Sequence, residues 1–390
     1  MARLILHKGR EGRILAGHPW IYRNEIARAD GAWTPDEAVA IQTRDGSFVG
    51  RGFYNPRTVI ACRILTRNDE PIDLTFFRRR IERALAYRQG LGLESDAYRV
   101  IASEGDLLPG LVVDRYRDLL VVQCLTLGME QNRHFVLPVL QSLLAPRGIF
   151  FKPDRAAQAA EGLEGVVGWL RGEGTREVEI REGPARFLVD LEGGQKTGFY
   201  LDQRDGRRAV AAAAAGKRIL DAFCYTGAFA CRALLAGARE AVAIESSREA
   251  LHLAQRNAEL NGVAERLHLV EGNTFDELRR LERARETFDL VILDPPSFTR
   301  RRDSVEAALR GYKGINLRAL RLLPPGGILA TFSCSHHVSP ALFDDMLRAA
   351  AADARRDLRL LASLTQALDH PVLLTVPETL YLKGRLCQVI

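Results

Sequence analysis

Leu290-Val-Ile-Leu-Asp-Pro-Pro-Ser-Phe298 is the stretch from which the rest of the chain can be read. Four apolar, strand-prone residues form a short buried strand. Asp294 closes it. Pro295 and Pro296 then withhold backbone donors and keep the chain extended. Strand ends of this kind, at the carboxyl edge of an open α/β sheet, are where ligands sit. A carboxylate fixed beside a stiff Pro-Pro floor suits a planar, hydrogen-bonding group such as a nucleobase. A strand end with a plain turn is the competing reading, and the flanking sequence decides between them.

On either side of this stretch, strand and helix patterns alternate. Strands are expected at Arg218–Ala222, Ala241–Glu245, Leu267–Glu271, Leu290–Asp294 and Gly327–Ser333. Helical patterns start at Ala228 and run over Glu249–Leu260, 305–322 and 340–354. That alternation defines a doubly wound sheet. Two further runs, Leu373–Pro377 and Leu382–Val389, are expected to close it as an antiparallel hairpin.

The strand ends carry polar residues in order. Asp221-Ala-Phe-Cys-Tyr-Thr-Gly227 is the first strand-to-helix turn. Its single glycine is not the G-x-G-x-x-G that lets backbone approach a pyrophosphate, which disfavours NAD and FAD. Glu245 ends the second strand, where an acid accepts ribose hydroxyls. Asn273 follows the third, placed to pair with an adenine edge. An acid, a glycine turn, a ribose acid, an adenine-side polar group and Asp-Pro-Pro on successive strands form a set suited to S-adenosylmethionine. The cofactor residues expected here are Asp221, Phe223, Tyr225, Thr226, Gly227, Glu245, Asn273, Thr274, Asp294 and Pro295.

This order resembles the class I S-adenosylmethionine-dependent methyltransferases. Gly194-Gln-Lys-Thr-Gly-Phe-Tyr-Leu-Asp-Gln-Arg204 narrows the likeness. It is similar to the Q-K-T-G-x-x-x-D-Q-R segment of the PUA-domain-containing 23S rRNA cytosine-5 methyltransferases. Gly17-His-Pro-Trp20 and Asn24-Glu-Ile26 resemble that family's PUA opening. The resemblance covers the whole chain and implies a multidomain architecture. An N-terminal PUA-like β-barrel (1–72) comes first, then a small α+β middle domain of strand–strand–helix–strand–strand type (73–180). A Rossmann-like α/β methyltransferase domain (181–390) ends the chain. The resemblance also implies large-subunit rRNA as substrate. Lys196, Thr197, Phe199, Tyr200, Asp202 and Arg204 would then lie over the cofactor, with Arg204 suited to the methionine carboxylate and the two aromatics to the sulfonium.

Two chemistries use a Pro-Pro floor. Exocyclic amines are methylated on D/N-P-P-Y/F sites, where an aromatic stacks the base; here Ser297 displaces Phe298 by one residue. Methylation at C5 of a pyrimidine needs a thiolate to add to C6 first, because C5 is a poor nucleophile. Leu329-Ala-Thr-Phe-Ser-Cys-Ser335 ends the next strand and resembles the motif holding the family's nucleophile. Cys334 is therefore expected as nucleophile, with Asp294 holding the base edge. Cys224 and Cys231 are expected as packing residues. The base that removes the C5 proton is left unnamed. A purine N-methyltransferase and a non-catalytic RNA-binding assembly factor are the competing readings.

Residues 1–72 read as β, with Asp45-Gly46 as a hairpin signal. Trp20 and Tyr22 cover the barrel core or abut RNA. Arg23 is a candidate RNA contact, as are Arg300, Arg301 and Arg302 beside the Asp-Pro-Pro strand. Asp73 opens a helix bearing Phe77, Ile81 and Leu85 on one face. Strands are expected at Leu111–Tyr116, Leu119–Leu125 and Gly148–Lys152, with a helix at Glu130–Leu144 and a loop over 161–175.

The 390 residues are 47% hydrophobic, enough for two or three cored domains. Net charge is +6, with a basic excess in 1–72 and 181–390 and a slight acidic excess between them, which fits a polyanionic partner at both ends. The six cysteines contain no C-x-x-C pair, so zinc-ligand spacing is missing and no metal is expected. No apolar run is long enough to span a bilayer and no signal-peptide pattern opens the chain. A cytoplasmic protein is expected, and an exposed barrel edge makes a homodimer an open expectation.

Overall fold

The computed structural model describes residues 2–299 and 302–390. The chain divides into two compact units. One comprises the residues up to Ile180, with Val189–Leu201 and Leu368–Thr379. The other comprises Arg181–Leu188, Asp202–Ala367 and Leu380–Ile390.

The first unit holds two sheets. A six-stranded sheet runs in the order Trp20–Tyr22, Ile60–Thr66, Phe48–Tyr54, Ala38–Gln42, Arg3–Leu6, Ile26–Asp30. Leu4, Leu6, Ile21, Ile41 and Cys62 pack its core. A five-stranded sheet follows in the order Gly168–Gly172, Gly148–Phe151, Leu119–Cys124, Leu111–Tyr116, Ala97–Ala102. The helix Leu74–Gln89 packs against it, started by Asp73, whose Oδ1 accepts the Phe76 N–H at 2.9 Å. Phe76, Phe77 and Ile81 are buried on its inner face, each contributing about 1.5–3 kcal/mol of burial. Two strands depart from the sequence reading. Ala97–Ala102 adds an edge, and Gly168–Gly172 is a strand inside the segment read as loop. Trp169 anchors the latter by packing edge-on to Phe150 at 5.1 Å, which outweighs the glycine-rich composition.

The second unit is built on a seven-stranded sheet. Its strands are β1 (Arg218–Ala222), β2 (Glu240–Glu245), β3 (Leu267–Glu271), β4 (Leu290–Leu293), β5 (Ile328–Ser333), β6 (Leu358–Leu364) and β7 (Lys383–Val389). Their spatial order is β3-β2-β1-β4-β5-β7-β6, with β7 antiparallel to both neighbours. Helices α1 (Arg204–Ala212), α2 (Ala228–Leu235), α3 (Arg248–Leu260), α4 (Thr274–Arg283), α5 (Val305–Leu322) and α6 (Pro340–Ala354) accompany it. β4 and β5 are buried at every position, as expected of parallel strands covered on both faces. Side-chain caps begin several helices: Ser247 for α3, Asn273 for α4 and Ser339 for α6.

The last hairpin is a correction. Leu373–Pro377 is not a strand of this sheet; an isolated bridge joins Leu373 to Val376, and the segment belongs to the first unit. The outer neighbour of β7 is β6, an edge strand with Leu360 and Leu361 exposed. A one-sided edge strand lacks the continuous apolar run that marks β4.

Candidate active site

The strand order reverses between β1 and β4, so a crevice opens at their carboxyl ends. Asp221 lies there and is fully buried. Its Oδ2 accepts the Ala230 N–H at 3.0 Å, while Oδ1 accepts no hydrogen bond among the described residues. Burial pushes its carboxyl up to about 8, with the charges of Asp294 and Glu245 adding to the rise. The turn after Asp221 is tightly wound: Phe223, Tyr225 and Gly227 all have positive φ, at 67°, 49° and 75°. For Phe and Tyr that conformation is strained. At Gly227 a Cβ would also fall 3.1 Å from the Ala254 Cβ. Glu245 is half-buried and braces the turn, its Oε2 accepting the Tyr225 N–H at 3.1 Å and its Oε1 the N–H groups of Ser246 and Ser247. Oε2 keeps a lone pair for a hydroxyl. Asn273 is exposed, and its Oδ1 accepts the Phe275 N–H at 2.9 Å as the cap of α4. Its first task is therefore structural, with its amide N–H groups left for a ligand edge. Thr274 is buried in the first turn of α4.

These residues fit S-adenosylmethionine. Three carboxylates gather at one sheet edge, one of them kept protonated by its surroundings, and a buried acceptor waits at Asp221. Such an edge favours a ligand carrying positive charge. It also sets a pH dependence. A carboxyl whose folded pKa exceeds its unfolded value binds its proton more tightly when folded, so stability falls as pH rises between the two values. The ligand-free protein should lose stability from the ordinary carboxylate range near 3.8 up to about 8. Asp221→Asn should flatten that slope. Thermal melts of both proteins from pH 5 to 9 decide it, and parallel curves would remove the assignment.

The second half of the crevice joins β4 to β5. Asp294 is half-buried directly after β4, followed by the buried Pro295. Gln203, the residue before α1, donates from Nε2 to Asp294 Oδ1 at 2.9 Å. Gln203 is itself 2% exposed, and its Oε1 accepts no hydrogen bond among the described residues. A Cβ on Gly206 would fall 2.6 Å from that Oε1 and 3.2 Å from the Phe332 ring, so glycine leaves room for the amide. Ser297 Oγ lies 3.0 Å from Ser335 Oγ, tying the Asp-Pro-Pro-Ser segment to the Ser-Cys-Ser segment after β5. Tyr312 OH lies 2.9 Å from the same Ser335 Oγ. Cys334 sits between buried Ser333 and buried Ser335 and is itself half-buried. Lys383 at the start of β7 donates to the carbonyl oxygens of Ser335 (2.7 Å) and Tyr381 (2.8 Å). Tyr381 OH in turn donates to Asp202 Oδ2 at 2.8 Å. Arg204 is buried in the first turn of α1.

Other expected site residues lie in the first unit. Thr197 is fully buried and donates to Asp114 at 2.6 Å, with Tyr116 OH 2.8 Å from its hydroxyl. Phe199 is buried and donates its N–H to Tyr116 OH. Lys196 is exposed and lies 4.3 Å from the centre of the Tyr200 ring. Trp20 donates Nε1–H to Glu104 at 2.8 Å and meets the His18 ring edge-on at 5.3 Å. Arg23 is exposed but donates to the carbonyls of Arg57 and Thr58. Arg300 and Arg301 lie outside the described residues, as does the side chain of Arg302. Gln203, Ser335, Tyr312 and Lys383 were missed by the sequence reading. Gln203 and Ser335 stood inside segments that carry the resemblance but were given no role of their own, and Lys383 carried the signal of being one of six lysines against 49 arginines.

Residues 157–376 match the S-adenosylmethionine-dependent methyltransferase family, and residues 4–67 match the PUA-like domain. Ribosomal RNA large subunit methyltransferase I of Klebsiella pneumoniae (strain 342) is 41% identical over 392 residues, covering 99% of this chain and 98% of that protein. The protein of that name from Enterobacter sp. (strain 638) is also 41% identical, covering 99% of each. An S-adenosylmethionine-dependent methyltransferase from Streptococcus mutans shares the fold over 100% of both chains, with a TM-score of 0.86 at 20% identity. A methyltransferase crystallised with S-adenosylhomocysteine does so with a TM-score of 0.87. Fold and crevice, taken with these matches, define an S-adenosylmethionine-dependent methyltransferase with a PUA-like domain. At such identity over nearly its whole length, the chain belongs to the ribosomal RNA large subunit methyltransferase I family.

Proposed function

We propose that this protein methylates C5 of a cytidine in 23S rRNA, giving 5-methylcytidine. The observation that carries the reading is Cys334. The other five cysteines are buried, and this one is partly exposed at the carboxyl end of β5, beside β4, which Asp294 directly follows. Its relatives' names supply the RNA.

S-adenosylmethionine supplies an electrophilic methyl group when bound, held by Asp221, the Phe223–Gly227 turn, Glu245 and Asn273. The chain's own residues do the rest. The target cytidine is turned out of its stack into the crevice. Asp294, oriented by Gln203, accepts a hydrogen bond from the N4 amine and favours protonation at N3 as charge develops on the ring. The buried Gln203 Oε1 offers a second acceptor for the exocyclic amine. Cys334 Sγ adds to C6, which turns C5 into a nucleophile. Once C5 carries the methyl group, its proton leaves to a base and the C6–S bond breaks, restoring the ring and the thiolate. Cytoplasmic action and a homodimeric state are further parts of this proposal; no helix among the described residues is long and apolar enough to cross a membrane.

The competing amine chemistry needs Phe298 to stack the base. Phe298 instead packs 4.5 Å from Tyr312 and 5.7 Å from Phe275, within an aromatic cluster behind the Pro-Pro turn. The test is the product. Protein, S-adenosylmethionine and unmodified large-subunit rRNA are incubated, and the digested RNA is read by mass spectrometry. 5-Methylcytidine is the expected nucleoside. A methylated purine would move the chemistry to Asp294 and Phe298 and end the covalent reading.

A further inference from the structure

Lys383 is a buried lysine with no ion pair among the described residues. It is 3% exposed, opens β7, and lies level with Ser333 of β5 in the antiparallel ladder, one residue short of Cys334. Among the described residues it forms no salt bridge, although Arg385, two residues along the same strand, pairs with Asp344 at 2.7 Å. Its Nζ reaches two neutral carbonyls, those of Ser335 and Tyr381. A lysine amine has two N–H donors when neutral and three when protonated. The two carbonyls satisfy the neutral form and leave its lone pair for one more proton. Burial pushes the ammonium down to about 8, and the charge that pulls it back up is the Cys334 thiolate. A lone lysine in this state is poised to exchange a proton with its neighbour.

We propose that Lys383 is the positioning residue that ionises Cys334. Its amine takes the thiol proton, so that S–H breaks as N–H forms, and the resulting ammonium, held by the carbonyls of Ser335 and Tyr381, keeps Sγ anionic for addition to C6. This rests on the covalent reading of Cys334. Among the described residues, four other titratable groups near Lys383 are placed or engaged elsewhere. Tyr312, on α5, is pushed up by burial and stays neutral, its hydroxyl on Ser335. His336 is exposed and lies against the Tyr381 ring at 6.0 Å. Asp202 is acidic and is bound by Tyr381 OH, so it opposes a thiolate. Arg385 is committed to Asp344.

The experiment reads ionisation directly. The full-length protein is alkylated with iodoacetamide from pH 5.5 to 10, and modification of the Cys334 peptide is followed by mass spectrometry. In the wild type the rate should titrate at least one unit below a free thiol, whose pKa is about 8.5. Lys383→Met should raise that midpoint by a unit or more and slow alkylation at pH 7 by about tenfold. Lys383→Arg keeps the positive charge and should hold the midpoint low, which separates electrostatics from packing. Retained S-adenosylmethionine binding checks that each variant is folded. In turnover, Lys383→Met should shift the pH profile of kcat to alkaline pH and leave KM for RNA unchanged. An unmoved alkylation midpoint in Lys383→Met overturns the proposal whatever the product. A methylated purine made by the wild type overturns the covalent reading, and with it this role for Lys383, even if the midpoint moves.

Discussion

Cys334→Ala is expected to bind S-adenosylmethionine with unchanged affinity and to lose turnover by more than about three orders of magnitude, a barrier rise above about 4 kcal/mol. The size follows from the chemistry. Without addition at C6, C5 of cytosine has no carbanion character, and positioning alone cannot supply it. Fold should survive the change. Cys334 lies beyond the last residue of β5, is not among the fully packed side chains, and loses only a small thiol. The backbone on its carboxyl side stays fixed through Ser335, whose hydroxyl meets Ser297 and Tyr312 and whose carbonyl meets Lys383. Cofactor affinity is measured by calorimetry and turnover by methyl transfer to rRNA. RNA carrying 5-fluorocytosine adds a second readout. Fluorine at C5 cannot leave as the proton does, so the adduct should accumulate as a covalent protein–RNA complex. The wild type should form it and Cys334→Ala should not. Normal turnover by the alanine variant would end covalent catalysis at this position.

How much of this was legible in the sequence differs between elements for physical reasons. β4 was readable because a strand covered on both faces is apolar throughout, and because the polar Asp294 ends the run abruptly. β6 was not, since an edge strand with exposed leucines looks like neither a core strand nor an amphipathic helix. Leu373–Pro377 has strand-prone composition yet folds with the other unit, a long-range choice that no local window contains. The same division runs through the site. Asp221, Glu245 and Cys334 announce themselves by position along a strand. Gln203 and Lys383 matter because hydrogen bonds connect them to residues 91 and 48 positions away. Asn273 has a hydrogen-bonding side chain at the right strand end, but the first use made of it is the cap of α4. Thr197 belongs to a stretch that resembles a cofactor segment, and its hydroxyl is held by Asp114 and Tyr116.

The ion pair between Arg207 and Glu182 is expected to give the largest stability loss of any single surface-distant charge in the second unit. Arg207 lies on α1 and is 1% exposed; Glu182 is 2% exposed. Arg207 Nε donates to Glu182 Oε1 at 2.8 Å and Nη2 to Oε2, a forked arrangement, while the Glu182 carbonyl accepts from Arg232 at 3.1 Å. Both charges are desolvated, so removing one strands the other. Glu182→Leu or Arg207→Met alone should cost about 3–5 kcal/mol. That is a large share of the roughly 5–15 kcal/mol that holds a domain folded, and lowers its melting temperature by on the order of 10 °C. The double variant should recover most of the loss, because no buried charge remains unpaired. The consequence reaches the crevice. Arg207 lies one helical turn beyond Gln203, the residue that donates to Asp294. Each single variant should therefore loosen Asp294 as well and lower kcat at temperatures where the fold is intact, with the double variant recovering in parallel. Thermal melts and turnover at 20 °C on the three proteins test both. A single variant within about 1 kcal/mol of wild type would show that the pair is solvated in solution and does not fix α1.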